Sequence, residues 1–331
     1  MRMIELESNV QDFRGSSEHA SPGPGVRLAF SAMACPCQIV TDEDDAAHAR
    51  IVAGRMRDEV LRIEAKYSRY RDDSIVSRIN AAAGTATVVE VDEETAALLD
   101  YAATAWRESD GLFDVTAGVL RRAWNFRAQR VPSAEALAAL LPLIGWQRVQ
   151  WQRPRIALPL AGMQLDFGGF GKEYAADAAA ALGLRHGLRH GFVDLGGDIR
   201  ILGPDRHGAP WRIGVRHPQQ PEQPVATLEM TSGAIATSGD YERSFTIDGR
   251  RYSHVLNPRD GWPVQGYASV SVLAPQCLVA GTATTIAMLK GCAEGRRWLV
   301  ALGLPWLTVG QDGAVEQSDA VAADAVRANP P

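Results

Sequence analysis

Four stretches of this 331-residue chain combine residue types that could do chemistry on an anion. In Asp166-Phe167-Gly168-Gly169-Phe170-Gly171-Lys172-Glu173-Tyr174, three glycines let backbone N–H groups approach a ligand, a helix start favours phosphate, and Lys172 adds a positive charge. A P-loop is excluded, because that motif needs glycine where Asp166 stands and Ser or Thr after the lysine. In Asp194-Leu195-Gly196-Gly197-Asp198 the glycine pair reads as a tight connection or bulge, and the aspartates as turn formers or ligand-facing groups. The richest stretch runs from Thr237-Ser238-Gly239-Asp240-Tyr241-Glu242-Arg243 to Ser253-His254-Val255-Leu256. There His254 precedes the turn Asn257-Pro258-Arg259-Asp260-Gly261, which exposes the strand end and sets acid–base work beside the ordinary structural role. In Gly281-Thr282-Ala283-Thr284-Thr285, helical hydroxyls mostly bond back to carbonyls, yet Thr284 or Thr285 could reach a cation instead. His186 and His190 have metal-like spacing, but Gly187 interrupts any helix there, so they read as solvated loop residues.

These stretches need elements to position them. Residues 43–70 read as a long helix, with Ile51, Val52, Met56, Val60 and Ile63 as its buried stripe. A second helix is expected from Asp92 to about Arg107, and Ser133 can cap a short one that Pro142 stops. Segment 148–158 reads as a strand and Lys172–Leu182 as a helix. Short β-type runs follow at 192–195, 198–202, 211–216, 225–230, 243–248, 251–256 and 267–273. Helices are then expected near 276–290 and 293–302. Asp248-Gly249 between Phe245, Ile247 and Tyr252 is a hairpin signal. Strands in a run with helices before and after predict an α+β fold. Residues 1–25 read as a flexible arm ending in Ser21-Pro22-Gly23-Pro24-Gly25, and 312–331 as a loose tail, leaving one domain at 26–311.

Composition narrows the classes. Apolar residues make up 46% and charged residues 22%, as in globular proteins, and 34 Lys+Arg against 39 Asp+Glu give a net charge of −5. That balance argues against a general nucleic-acid or anionic-membrane binder, while a pocket for a small polyanion needs only one or two local cations. No run of about 18 apolar residues predicts a membrane span. The acidic N-terminus lacks a secretory signal's apolar run, so the expectation is a cytoplasmic protein without membrane insertion. Cys35, Cys37, Cys277 and Cys292 form no disulfide scaffold or zinc knuckle and are expected as small buried residues.

The ordered set of motifs resembles the ApbE family, the FAD:protein FMN transferases, from about residue 28 to 303. Met33-Ala34-Cys35 stands where the family has Met-Gly-Thr, and Tyr70 with Asp73–Asn80 resembles its Tyr…Ser…Leu-Asn segment. Gly111–Thr116 with Trp124-Asn125-Phe126, the segment Asp166–Asp177, Leu195–Ile199 and the block Thr237–Val264 complete the likeness. The resemblance implies an ApbE-like, T-fold-related arrangement of mixed, largely antiparallel sheets with helices packed on them. It implies an enzyme that splits FAD at the pyrophosphate, passes FMN to a threonine of an acceptor flavoprotein and releases AMP, using Mg²⁺. Carried over position by position, Met33, Tyr70, Phe113, Asp114, Asp166, Lys172 and Val255 would contact FAD. The Gly169 carbonyl and Thr285 would hold the metal, and His254 would take the acceptor's proton. Two rivals come with it: a flavin-binding paralogue without transfer, and an FAD pyrophosphatase releasing FMN and AMP. The chain also departs from the pattern. Gly281 replaces an aspartate four residues before Thr285, Thr284 replaces an often acidic position, and Asn257 stands where aspartate is usual. Glu173, in place of the usual glycine, or Asp240 is a candidate replacement carboxylate.

Overall fold

The computed structural model describes residues 10–12, 25–220, 223–241 and 243–326. Its centre is a nine-stranded sheet whose strands lie side by side in chain order. They are β1 (Val10–Asp12), β2 (Val26–Ala32), β3 (Cys35–Thr41), β4 (Gly191–Leu195), β5 (Asp198–Gly203), β6 (Ala234–Gly239), β7 (Tyr267–Ala274), β8 (Trp306–Gly310) and β9 (Val315–Gln317). Every neighbouring pair among them is antiparallel. The α+β reading therefore holds. Four long helices occupy the excursions between strands: α1 (Ala46–Tyr67), α2 (Glu93–Glu108), α3 (Gly171–Arg185) and α4 (Cys277–Leu302).

Strand alternation sorts side chains to the two faces. Ala234 and Ala236 of β6 and Val270 and Val272 of β7 join Met56, Ala176 and Ile286 in the main core on the helical face. Ile199, Ile201 and Ile235 turn the other way, under a small antiparallel sheet of 211–216 and 224–230. The same period places Asp198 of β5 and Ser238 of β6 on the helical face. α3 and α4 then meet in a fixed antiparallel register, because both carboxylate oxygens of Asp177 accept the N–H groups of Cys277 and Leu278 at 2.9 Å. This interhelix cap satisfies donors that the α4 start would otherwise leave orphaned.

Several sequence expectations need amendment. Segment 148–158 is a hairpin, Gln150–Gln152 against Arg155–Ala157, because Pro154 cannot continue a strand ladder. The β2–β3 hairpin, β6 and β8 lie outside the expected β-type runs. The first turns through Met33-Ala34, both at positive φ, instead of the Asn-Gly type that announces such turns. Asp248-Gly249 makes its expected hairpin turn. α4 is interrupted at Gly291, matching the division into two helices. Within 312–331, expected as a loose tail, Val315–Gln317 pairs with β8 and Val321 is buried under the smaller sheet. The arm at 1–25 lies outside the described residues except for Gly25 and Val10–Asp12, which pairs with β2.

Candidate active site

A cleft of about 440 Å³ opens where the β2–β3 turn, the end of α1, the start of α3, the β6 end and α4 converge. All the sequence-predicted site residues line it: Met33, Tyr70, Phe113, Asp114, Asp166, Gly169, Lys172, His254, Val255 and Thr285. The α3 start follows the Gly168-Gly169 turn without a side-chain N-cap; the Gly171 N–H bonds back to Phe167 O, and Gly171, Lys172 and Glu173 of the first turn line the cleft. Lys172 in that first turn reaches Asp198 on β5, Nζ to Oδ2 2.5 Å. Asp198 is buried and also accepts the Thr237 N–H. Of the two aspartates around the glycine pair, Asp194 is the turn former, accepting from Gly197 N and Gln38 Nε2. Asp198 is the one in the cleft.

Aromatic and apolar side chains line the same cleft, Phe113 lying close beside Gly169. Phe113 is buried and packs at 6.2 Å on Phe170, and Tyr70, 83% exposed, stands at the mouth beneath Arg69. Met33 sits in a left-handed turn, a conformation costing about 1–3 kcal/mol outside glycine, with its N–H on Glu64. Asp166 is held by Arg69 Nη1 at 3.0 Å and by its own turn at Gly168. Asp114 caps the 3₁₀ segment 115–122: one oxygen takes the Thr116 N–H and hydroxyl, the other the Trp146 N–H. Its carboxylate shapes the floor of the site more than it offers itself to a ligand. Val255 is half-buried, its carbonyl tied to Val264 N.

Residues outside the sequence-predicted set complete the electrostatics. Arg121 and Arg243 line the cleft beside His254. Burial, then Arg121, Arg243 and Lys172, push the His254 imidazole down to about 3, so it is neutral at ordinary pH. Its Nδ1 is buried without a partner. Arg69 and Arg121 carry no local motif; only the closure of the chain around Gly118 brings Arg69 against Asp166. Of the cysteines, Cys37 and Cys277 are buried as expected, whereas Cys292 is exposed and half-buried Cys35 lines the cleft. Cys35 lies 3.8 Å from Cys37, and that hydrogen bond, with Lys172 nearby, lowers its thiol below the usual range.

On α4, the Thr284 hydroxyl donates back to Gly281 O, while Ser238 Oγ lies 2.8 Å from Thr284 Oγ1 and 3.2 Å from Thr285 Oγ1. Thr285 is thus the hydroxyl left facing the cleft. Asp240 is excluded as a replacement carboxylate, because Arg251 and Gln311 engage its oxygens away from this cleft. No group of three or more His, Cys, Asp or Glu side chains that could hold a metal occurs among the described residues. A hard cation here would rest on few protein oxygens plus those of a bound phosphate, the usual manner of Mg²⁺.

The fold is an α+β domain whose cleft brings aromatic side chains and cationic groups together. Residues 33–307 match the model of the ApbE family. The chain is 34% identical over 247 residues to the FAD:protein FMN transferase of Treponema pallidum, covering 69% of this chain and 68% of that one. It is 30% identical over 253 residues to the enzyme of that name from Vibrio cholerae, 75% of each. Among solved structures, the ApbE protein of Thermotoga maritima superposes with a TM-score of 0.84 at 32% identity, covering 91% of this chain and 99% of that one. The flavin transferase ApbE of Vibrio cholerae gives 0.80 at 27%, covering 90% and 97%. The chain belongs to the ApbE family.

Proposed function

We propose that this chain is a Mg²⁺-dependent FAD:protein FMN transferase acting on a threonine of a cytoplasmic flavoprotein. The observation that carries the reading is one cleft holding both halves of the task. The Met33 turn, Tyr70 and Phe113 form a flat apolar wall suited to the flavin. Lys172, Arg243, Arg121 and the α3 start supply positive charge for the diphosphate.

In the reaction, the acceptor hydroxyl oxygen attacks the phosphorus of the FMN half. The bond from that phosphorus to the bridging oxygen breaks, AMP departs with the electron pair, and the hydroxyl proton passes to His254. Burial first, and then the neighbouring cations, keep His254 neutral and therefore able to accept a proton, but they also make it a weak base. A diphosphate bound among the same cations offsets their charge, so the imidazole gains basicity only when substrate is in place. The Gly169 carbonyl and Thr285 would hold Mg²⁺, which when bound offsets charge on the phosphate oxygens. A hard oxygen donor set fits that ion better than it fits zinc.

Incubation with FAD, Mg²⁺ and a candidate acceptor domain tests the reading, followed by in-gel flavin fluorescence and AMP assay. Fluorescent acceptor with equimolar AMP is the expected result. AMP and free FMN without labelled acceptor would identify a pyrophosphatase, and bound FAD without products a binding protein.

A further inference from the structure

Glu173 raises a separate question, because it is a carboxylate buried where burial is costly. The side chain is 8% exposed, and its Oε2 has no hydrogen-bond partner. A buried carboxylate with an unpartnered oxygen is expensive to keep, above all if ionised. Its position is set by the α3–α4 register. Asp177 on α3 caps α4 at Cys277 and Leu278. One turn back along α3 from Asp177 is Glu173, and one turn on along α4 from Cys277 is Gly281. The two meet: a Cβ on Gly281 would lie 2.5 Å from Glu173 Cγ and 2.6 Å from its Oε1. Glu173 therefore fills the space that a side chain at 281 would occupy, one helical turn before Thr285 and on the same face. Lys172 pairs with the neighbouring Asp198 and Arg251 holds Asp240, so Glu173 is the carboxylate with an uncommitted oxygen at this place.

We propose that Glu173, reaching across from α3 into the space above Gly281, is the carboxylate ligand of the divalent-cation site that also uses Thr285. The Glu173 carboxylate thereby stands at the α4 position one turn before the Thr285 hydroxyl. A side chain at 281 and Glu173 compete for the same space, so Gly281→Asp alone is expected to add no ligand. This inference rests on the metal-dependent transferase reading, but its test reads metal binding directly.

Mn²⁺ serves as the probe, titrated into the whole protein with and without FAD and followed by electron paramagnetic resonance and calorimetry. Glu173→Gln, nearly the same shape, should weaken Mn²⁺ binding by roughly tenfold to a hundredfold or more, since even outer-sphere partners cost that much. Glu173→Gly should lose as much, and Glu173→Gly with Gly281→Asp should regain most of it. Thermal unfolding of each variant confirms a folded protein. A Glu173→Gln protein that binds Mn²⁺ like the parent overturns the proposal, as does a double exchange no better than folded Glu173→Gly. FAD uptake by the parent protein in EDTA, by quenching of flavin fluorescence, reports separately on the transferase reading: uptake is expected, and its absence would overturn that reading whatever the Mn²⁺ result.

Discussion

Replacing Lys172 with methionine separates what the lysine does for the fold from what it does for the ligand. Its ammonium lies 2.5 Å from an Asp198 oxygen, and the side chains are 24% and 3% exposed. At that distance the gross attraction is about 7 kcal/mol for an effective dielectric of about 20. Desolvation offsets much of this, and removing one partner of a buried pair costs about 3–5 kcal/mol. Lys172 is partly hydrated and Asp198 keeps the Thr237 N–H, which sets the expectation at the lower end, about 3 kcal/mol. Lys172→Met with Asp198→Asn removes both charges and keeps that N–H contact, and should recover roughly two-thirds of the loss. FAD affinity behaves differently. Loss of one charge-assisted contact to phosphate, about 1.5–3 kcal/mol, weakens binding roughly tenfold to a hundredfold in the single and the double variant alike. Urea unfolding and fluorescence titration measure the two quantities. A single variant as stable as the parent would refute the stabilising role of the ion pair, and FAD binding unchanged in the single variant or restored by the second substitution would refute the assignment of Lys172 to the diphosphate.

His254→Gln should lower FMN transfer by about 10²–10⁴ while FAD still binds, measured by single-turnover labelling. Its imidazole sits near 3 in the fold against an ordinary 6.5, so between those values the unfolded chain takes up the proton. That stabilising contribution is complete above pH 6.5 and lost as pH falls toward 3, and urea unfolding across this window should show a shallower slope for His254→Gln. Glu173 acts in the opposite sense. Burial and Asp198 raise its carboxyl from 4.5 to about 8, so its contribution is complete below 4.5 and lost as pH rises through 8. Gly118→Ala would put a Cβ 2.4 Å from Asp166 Cβ and 2.9 Å from Arg69 Nη1. Thermal unfolding should register about 1–3 kcal/mol of overpacking, with weaker FAD binding. Tyr70→Ala, at an exposed position, should leave stability within about 0.5 kcal/mol. The same variant should weaken FAD binding by about 0.5–1.5 kcal/mol of stacking, read by titration.

The sequence by itself determined the elements whose signals are local. The apolar stripe of α1, the Asp92 and Ser133 caps and the Asp248-Gly249 turn all depend on residues a few positions apart, and they are where they were expected, except that Ile51, read into the buried stripe, is 60% exposed. The motifs also determined the membership of the cleft, because glycine turns, Lys172, His254 and Thr285 are recognisable by type and order. Tertiary structure alone decided their meaning. Asp114 also engages Trp146, Asp194 engages Gln38 and Asp240 engages Gln311, all residues far along the chain. Arg69 and Arg121 entered the cleft without any motif. The meeting of Glu173 and Gly281 spans more than a hundred positions, and only the Asp177 cap that locks α3 against α4 brings the carboxylate to the empty Cβ position. Local propensity acts over one turn or one hairpin, whereas charge pairing and steric exclusion act through space, so they become legible only once the sheet and helices have closed on each other.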